Sequence, residues 1–399
     1  MRLETEYGLD HLIVDAAVSE LPLARRVLAR WQGESPRIVD DVENVIEEAR
    51  RQPDALAHGK RTLLITRRKG PFLTPCQGMT GRHRACCDYR ILNVIENCPM
   101  DCSYCILQGY LNHPLLVLNA NLDGLADEIA HARHRESTVQ CATEPPAVHP
   151  GKRLLRIGTG ELGDSLAFDR LTGLSLDLMR IVAPFDDVVL ELKTKTAEIE
   201  NVLTVPAPPN VVISWSLNPP RNMASEEKGA ASLEERLDAA RRCQRHGYRI
   251  GLHFDPLIHS PGWETEYRAV VEAVFESLDP SRIVWISLGA LRFPPAMKRT
   301  IEERHARSTI TSGELVPSWD GKLRYFRPIR VALYRKMVEW IAARAPGVAV
   351  YLCMESTEIW KDVFGWSPRG VVDVAERLDA GCRKTELAGG AVRTAARSA

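Results

Sequence analysis

Six short apolar or β-branched runs recur along the middle of the chain, and stretches with helical periodicity separate them. The runs are RILNVIE (90–96), RLLRIGT (153–159), DVVLELKT (187–194), NVVISWSL (210–217), YRIGLHF (248–254) and RIVWISL (282–288). SLAFDRLTGLSLDLMRIV and SLEERLDAARRCQRHG are two of the intervening helical stretches. Strands alternating with helices imply parallel β/α units, because a parallel neighbour is reached only through a crossover long enough to hold a helix. Six units predict an α/β fold of the partial (β/α)6 TIM-type barrel kind, with its chemistry at the C-terminal ends of the strands. A doubly wound sheet has the same periodicity and stays open as the alternative. Residues 1–88 read as an N-terminal helical and loop extension, with DDVENVIEEARRQ as a helix and RRKGPFLTPCQGMTGRHRACCDYR as an extended loop. Residues 89–290 then form the barrel core and 291–378 a C-terminal substrate-binding or cap region. The remainder, 379–399, is expected to be a disordered tail.

Lys+Arg and Asp+Glu each total 52 and cancel, so any nucleic-acid partner must be met by a local patch rather than by the field of the whole molecule. No apolar run approaches the roughly 20 residues that span a bilayer, and MRLETEYGLDHL lacks the pattern of a secretory signal. The expectation is a cytoplasmic protein without a membrane partner. In that setting the ten cysteines point to metal ligation or catalysis, not to a disulfide framework.

Three of those cysteines stand in ENCPMDCSYCILQGYL, directly after the first strand, as Cys98, Cys102 and Cys105 in the spacing C-x3-C-x2-C. Tetrahedral zinc sites and ordinary cubane clusters take four protein ligands, and no fourth cysteine or histidine follows at a metal-site distance. Three thiolates suit a [4Fe–4S] cube whose fourth iron is left for an exogenous ligand offering an amine and a carboxylate. A zinc knuckle, or three unrelated thiols, is the plain alternative.

With Tyr104 just before its third cysteine, this motif resembles the signature of radical S-adenosylmethionine enzymes. CPMDCSYCILQGYL is similar to the cluster loop of the spore photoproduct lyase family. The order of LKTK, SLN, a strand ending in DPL, GWETEY, LRFPPAMKR and GKLRYFRPIRVALYRK extends that likeness from about residue 70 to about residue 355. The resemblance implies a [4Fe–4S] cluster on Cys98, Cys102 and Cys105, with S-adenosyl-L-methionine filling the open iron site. It implies reductive cleavage of that cofactor to a 5′-deoxyadenosyl radical, hydrogen abstraction from a methylene-bridged thymine pair, and so a carbon–carbon lyase of DNA repair. A flavodoxin- or ferredoxin-type protein would be the reductant. By position, Lys195 matches the lysine that approaches the cofactor carboxylate, and Ser216 with Asn218 matches the polar pair near its ribose. Tyr104 lines the same pocket and is also a catalytic candidate. In GTGELGD, Gly158 and Gly160 would let the backbone approach the cofactor, and Glu161 would pair with its ammonium. Asp255 is placed to hydrogen-bond cofactor or substrate.

The likeness has gaps. The lyases carry a further functional cysteine after the second strand, which returns a hydrogen atom to the product radical. Here that position falls at or next to Glu161, and no cysteine lies between Lys152 and Arg242. Cys141, in STVQCATEPPAVHPG, is the candidate that takes over the role. Ile106 stands where those lyases have a tyrosine after the third cluster cysteine. Cys76, Cys86 and Cys87 read as packing, redox or metal residues. Radical chemistry on an RNA base, a peptide or a metabolite is therefore the rival function, and a non-catalytic Fe–S or zinc nucleic-acid-binding protein is a more distant one. For contact with DNA, Lys322, Arg324, Tyr325 and Arg327 form a basic and aromatic stretch, joined by Arg292 and Lys298.

Overall fold

A computed structural model of the chain describes residues 8–76, 84–138, 153–370 and 372–383, with 134–138 by backbone alone. Seven parallel strands form its centre: β1 (Arg90–Leu92), β2 (Leu155–Gly158), β3 (Val188–Thr194), β4 (Val211–Ser216), β5 (Arg249–Leu257), β6 (Ile283–Ala290) and β7 (Val350–Leu352). Neighbours in the sheet follow chain order from β1 to β7, and Leu73–Pro75 adds an antiparallel edge to β1. A doubly wound sheet reverses its strand order at a switch point; this sheet does not, and it curls as an open eight-stranded half-barrel. The central strands are buried along both faces, β4 and β6 without an exposed position. That is why they read as continuous apolar runs.

One crossover helix shows both of its caps clearly. Helix Leu233–His246 begins with a capping box, in which Ser232 and Glu235 exchange side-chain and backbone hydrogen bonds, and ends at Gly247 with φ of 113°. It lays Leu237, Ala240 and Cys243 on the sheet.

The N-terminal region is not the helix and loop expected. HLIVD and TLLIT are strands (His11–Asp15 and Thr62–Thr66) of a five-stranded sheet that also takes Arg37–Val39, Leu116–Asn119 and Ile95–Glu96. Their alternation settles the two faces. Ile13, Leu64 and Val117 pack under helix Val42–Arg50, whereas Leu12, Leu63 and Leu116 join the main core. The expected strand 90–96 is divided between the two sheets. It turns at Asn93, whose side chain donates to the Phe72 carbonyl at 2.8 Å and to Thr74 Oγ1 at 2.9 Å.

The C-terminal region also differs from expectation, because helix runs on through 372–383. Asp379 is buried against Arg156 at 2.5 Å, and Arg249 donates to the Cys382 carbonyl at 2.9 Å. Both arginines lie near the N-terminal ends of their strands, so this helix covers the end of the barrel opposite the chemistry. Among the described residues, no helix is long and apolar enough to cross a membrane.

Candidate active site

The cysteine loop leaves the short strand Ile95–Glu96 at Asn97, which adopts φ of 69°. The Asn97 side chain accepts from the Cys98 amide at 2.8 Å and donates to the Pro114 carbonyl at 2.6 Å. Farther on, Asp101–Cys102 pairs antiparallel with Glu227–Lys228. Gln108 Nε2 donates to the Ser103 carbonyl at 2.8 Å, and Lys60 Nζ donates to the carbonyls of Cys98 at 2.9 Å and Met100 at 2.5 Å. So tied, the loop brings Cys98, Cys102 and Cys105 to one wall of a cavity of about 500 Å³. Burial, reinforced by Asp164, pushes the Cys98 thiol well above its ordinary value. Burial lifts Cys102 to about 12 against the pull of Lys195.

The donor set fits an iron–sulfur cube. Each thiolate of a cube binds a different iron, so the sulfurs need not converge on a point. A single zinc ion does require convergence, and among the described residues no three His, Cys, Asp or Glu side chains are arranged to hold one ion.

The strand ends supply the remaining walls. After β2, Gly160 and Glu161 line the cavity. A Cβ on Gly160 would stand 2.5 Å from that of Lys193, and Glu161 is ion-paired to the Lys193 ammonium. Gly158 is placed otherwise than expected: it lies inside β2, where a Cβ would come within 2.0 Å of the Tyr89 hydroxyl. It is a close-packing glycine that does not line the cavity. Asp164 fastens the turn to β3, accepting from the amides of Leu166, Ala167 and Lys195 at 3.0, 2.9 and 2.8 Å and from the Thr194 hydroxyl at 2.7 Å.

Lys195, Ser216 and Tyr104 all line the cavity, and a residue with no sequence signal ties Lys195 to Tyr104. Glu227, 1% exposed, is 3.0 Å from Lys195 Nζ and 2.6 Å from Arg236 Nη2, and it accepts from Asn218 Nδ2 at 2.9 Å and from the Tyr104 hydroxyl. Burial would raise its pKa, but Lys195 and Arg236 outweigh burial and hold the carboxyl at about 2. Asn218 is thus behind the wall, clasped between Glu227 and Tyr267 (Oη to Oδ1, 2.7 Å), and not on the cavity surface.

On the far wall, His253 Nε2 lies 2.7 Å from Glu191, which Ser214 meets at 2.5 Å and Trp285 at 3.2 Å. Burial opposes ionisation of Glu191, yet His253 brings it to about 2. Asp255 and Arg292 form a two-bond pair at 2.9 Å each, and both line the cavity with Lys322 and Met354.

The expected DNA patch breaks up. Arg324 is 1% exposed, 2.7 Å from Asp320 and 3.6 Å from Glu355, so it has no face for a phosphate. Tyr325 is equally buried and accepts from the His259 amide at 3.1 Å, so it is no stacking platform. Both are turned inward by the hairpin of Leu315–Pro317 with Leu323–Tyr325. Arg327 and Lys298 are surface residues facing Asp362 at 2.6 Å and Glu302 at 3.9 Å. The hairpin exposes Trp319, which carries no sequence signal, and Phe326, an aromatic of the same basic stretch (321–336), is exposed beside the hairpin. Cys76 and Ile106 line the cavity, Cys86 is buried beside Cys87, and Cys141 lies outside the described residues.

A family model described as spore photoproduct lyase matches residues 42–316. The chain is 21% identical over 279 residues to the spore photoproduct lyase of Clostridium acetobutylicum, covering 67% of this chain and 74% of that one. It is 24% identical over 221 residues to that of a Geobacillus species, covering 54% and 60%. A solved spore photoproduct lyase complexed with dinucleoside spore photoproduct superimposes with a TM-score of 0.71 at 18% identity, over 87% of this chain and 100% of that one. A variant lyase with bound AdoMet and the same dinucleoside gives 0.71 at 19% identity, over 88% and 99%.

Proposed function

The chain belongs to the spore photoproduct lyase family, within the radical S-adenosylmethionine enzymes, and from that premise we propose that it cleaves a methylene-bridged thymine pair in DNA. Cys98, Cys102 and Cys105 hold a [4Fe–4S] cluster, and S-adenosylmethionine binds beside it. When bound, the two would supply one-electron radical chemistry at the substrate's bridging carbon. One observation carries this reading: the three thiols and the polar ends of β2 to β6 line the same cavity.

The chain's own residues bind, orient and exclude water. Lys195, fixed by Glu227, faces the cofactor carboxylate, with Ser216 and Tyr104 beside it. Gly160 lets the backbone close on the cofactor, and Glu161 offers its carboxylate to the ammonium. His253, Asp255, Arg292 and Lys322 make the substrate side. A cavity of about 500 Å³ that also takes the cluster and the cofactor has no room for a duplex, so the lesion enters extruded, as bases do in other enzymes that act on them. Exposed Trp319 and Phe326 offer rings for the flanking bases. A flavodoxin- or ferredoxin-type protein delivers the electron.

A second reading, radical chemistry on another substrate, has one observation in its favour. The position expected for the family's hydrogen-returning thiol falls at or next to Glu161, which is bound to Lys193, and no cysteine lies between Lys152 and Arg242. The proposal is tested by anaerobic reconstitution followed by assay of iron, sulfide and 5′-deoxyadenosine. Roughly four irons and four sulfides per chain, with cofactor cleavage lost in Cys98→Ala, Cys102→Ala and Cys105→Ala, is the expected result. Cleavage that survives in any of the three variants would overturn the cluster assignment.

A further inference from the structure

Lys60 belongs to the N-terminal region, yet its ammonium ends beneath the cysteine loop. It caps the short helix Ala55–Gly59. Gly59 lets that helix lie directly on the chain at Pro114, since a Cβ there would stand 2.1 Å from the Pro114 carbonyl oxygen. From this seat Nζ reaches the Cys98 and Met100 carbonyls, and the side chain is only 6% exposed. Its carboxylate neighbour, Asp101, stands 3.9 Å away and is bonded to Arg304 at 3.0 Å.

A buried ammonium is costly unless its surroundings use it. Here its close partners are carbonyls, and its carboxylate neighbour is shared with Arg304, so its positive charge is only partly offset. It stands against the backbone of the cysteine loop, one hydrogen bond from the Cys98 carbonyl and one from that of Met100.

We propose that Lys60 is a positioning residue that sets the reduction potential of the cluster this loop holds. The inference rests on the assignment of Cys98, Cys102 and Cys105 as its ligands. Iron–sulfur potentials follow the net charge and hydrogen bonding around the cluster. A fixed cation favours the state with one more electron, and the hydrogen bonds from Nζ hold the loop on either side of Pro99 in one conformation. The step biased is the one-electron reduction of the cluster by a low-potential carrier; no bond is made or broken in the protein.

The test is a redox titration of the full, reconstituted chain, with the reduced cluster followed by electron paramagnetic resonance. Lys60→Met should retain iron and sulfide, and at the native midpoint its reduced-to-oxidised ratio should fall about tenfold, equivalent to about 59 mV for one electron. Lys60→Arg should restore most of the native value. Asp101→Asn, which removes a negative charge from the same spot, should shift the potential the opposite way, and it carries the test if Lys60→Met does not hold iron. A loaded Lys60→Met with the native midpoint, or an unmoved Asp101→Asn, overturns the proposal. Wild-type protein that takes up no iron and sulfide overturns the ligand assignment itself.

Discussion

Around the single carboxylate of Glu227 are gathered Lys195, Arg236, Asn218 and Tyr104. Glu227→Gln would leave two buried cations without their partner and should lower unfolding stability by about 3–5 kcal/mol, measurable by urea denaturation. The pH dependence has a definite sign. The Glu227 carboxyl drops from an ordinary 4.5 to about 2 on folding, so its contribution is complete above about pH 4.5 and is lost as pH falls toward 2. Glu191 behaves alike. In that window these two carboxyls contribute about two protons to the slope of the wild-type stability, beside Asp320, which burial pushes up but Arg324 and Lys322 hold at about 2, and Glu227→Gln should lower the slope by about one. Two basic residues two positions apart should separate as cleanly. Lys322→Ala should weaken binding of lesion-bearing DNA and reduce its salt slope by about 1, with the smaller loss of stability of the two because Arg324 still holds Asp320. Arg324→Ala should instead destabilise the fold by about 2–3 kcal/mol, because Asp320 would keep only Lys322 as its cation and Glu355 only Arg330.

At the scale of elements, glycines decide how closely the strands carry their side chains. In β2, a Cβ on Gly158 would meet the Tyr89 hydroxyl at 2.0 Å and the Glu191 carbonyl oxygen at 2.5 Å. Gly158→Ala should therefore cost about 3 kcal/mol by overpacking, seen as a lower midpoint of urea unfolding. The barrel strands were legible in the sequence because both their faces are buried, which writes an unbroken apolar run. HLIVD and TLLIT were not, being short and set among helical and polar segments. The run 90–96 misled differently, since residues of uniform strand character serve two sheets on either side of Asn93. The three cysteines were legible from spacing alone. Glu191, Glu227 and Lys60 were not, because each acts through partners distant in sequence that only the folded chain assembles. Arg324 and Tyr325 looked like a binding surface because a basic–aromatic pattern says nothing about which way a hairpin turns it.

For the whole molecule, the N-terminal sheet, the half-barrel and the C-terminal helix divide the work. The barrel gathers strand ends around one cavity, the N-terminal region reaches under the cysteine loop through Lys60, and the closing helix seals the far end through Asp379 and Cys382. Family membership gives the chemistry, and the proposed division into a cofactor side and a substrate side rests on the residues that line the cavity. The most direct test is an anaerobic incubation of the reduced, reconstituted protein with S-adenosylmethionine and a dinucleotide carrying the methylene-bridged thymine lesion. Both 5′-deoxyadenosine and the restored thymine pair are then quantified. The account predicts both products from the wild type and neither from Cys98→Ala. Wild-type protein with a complete cluster that forms 5′-deoxyadenosine yet leaves the lesion intact would contradict it and move the substrate elsewhere.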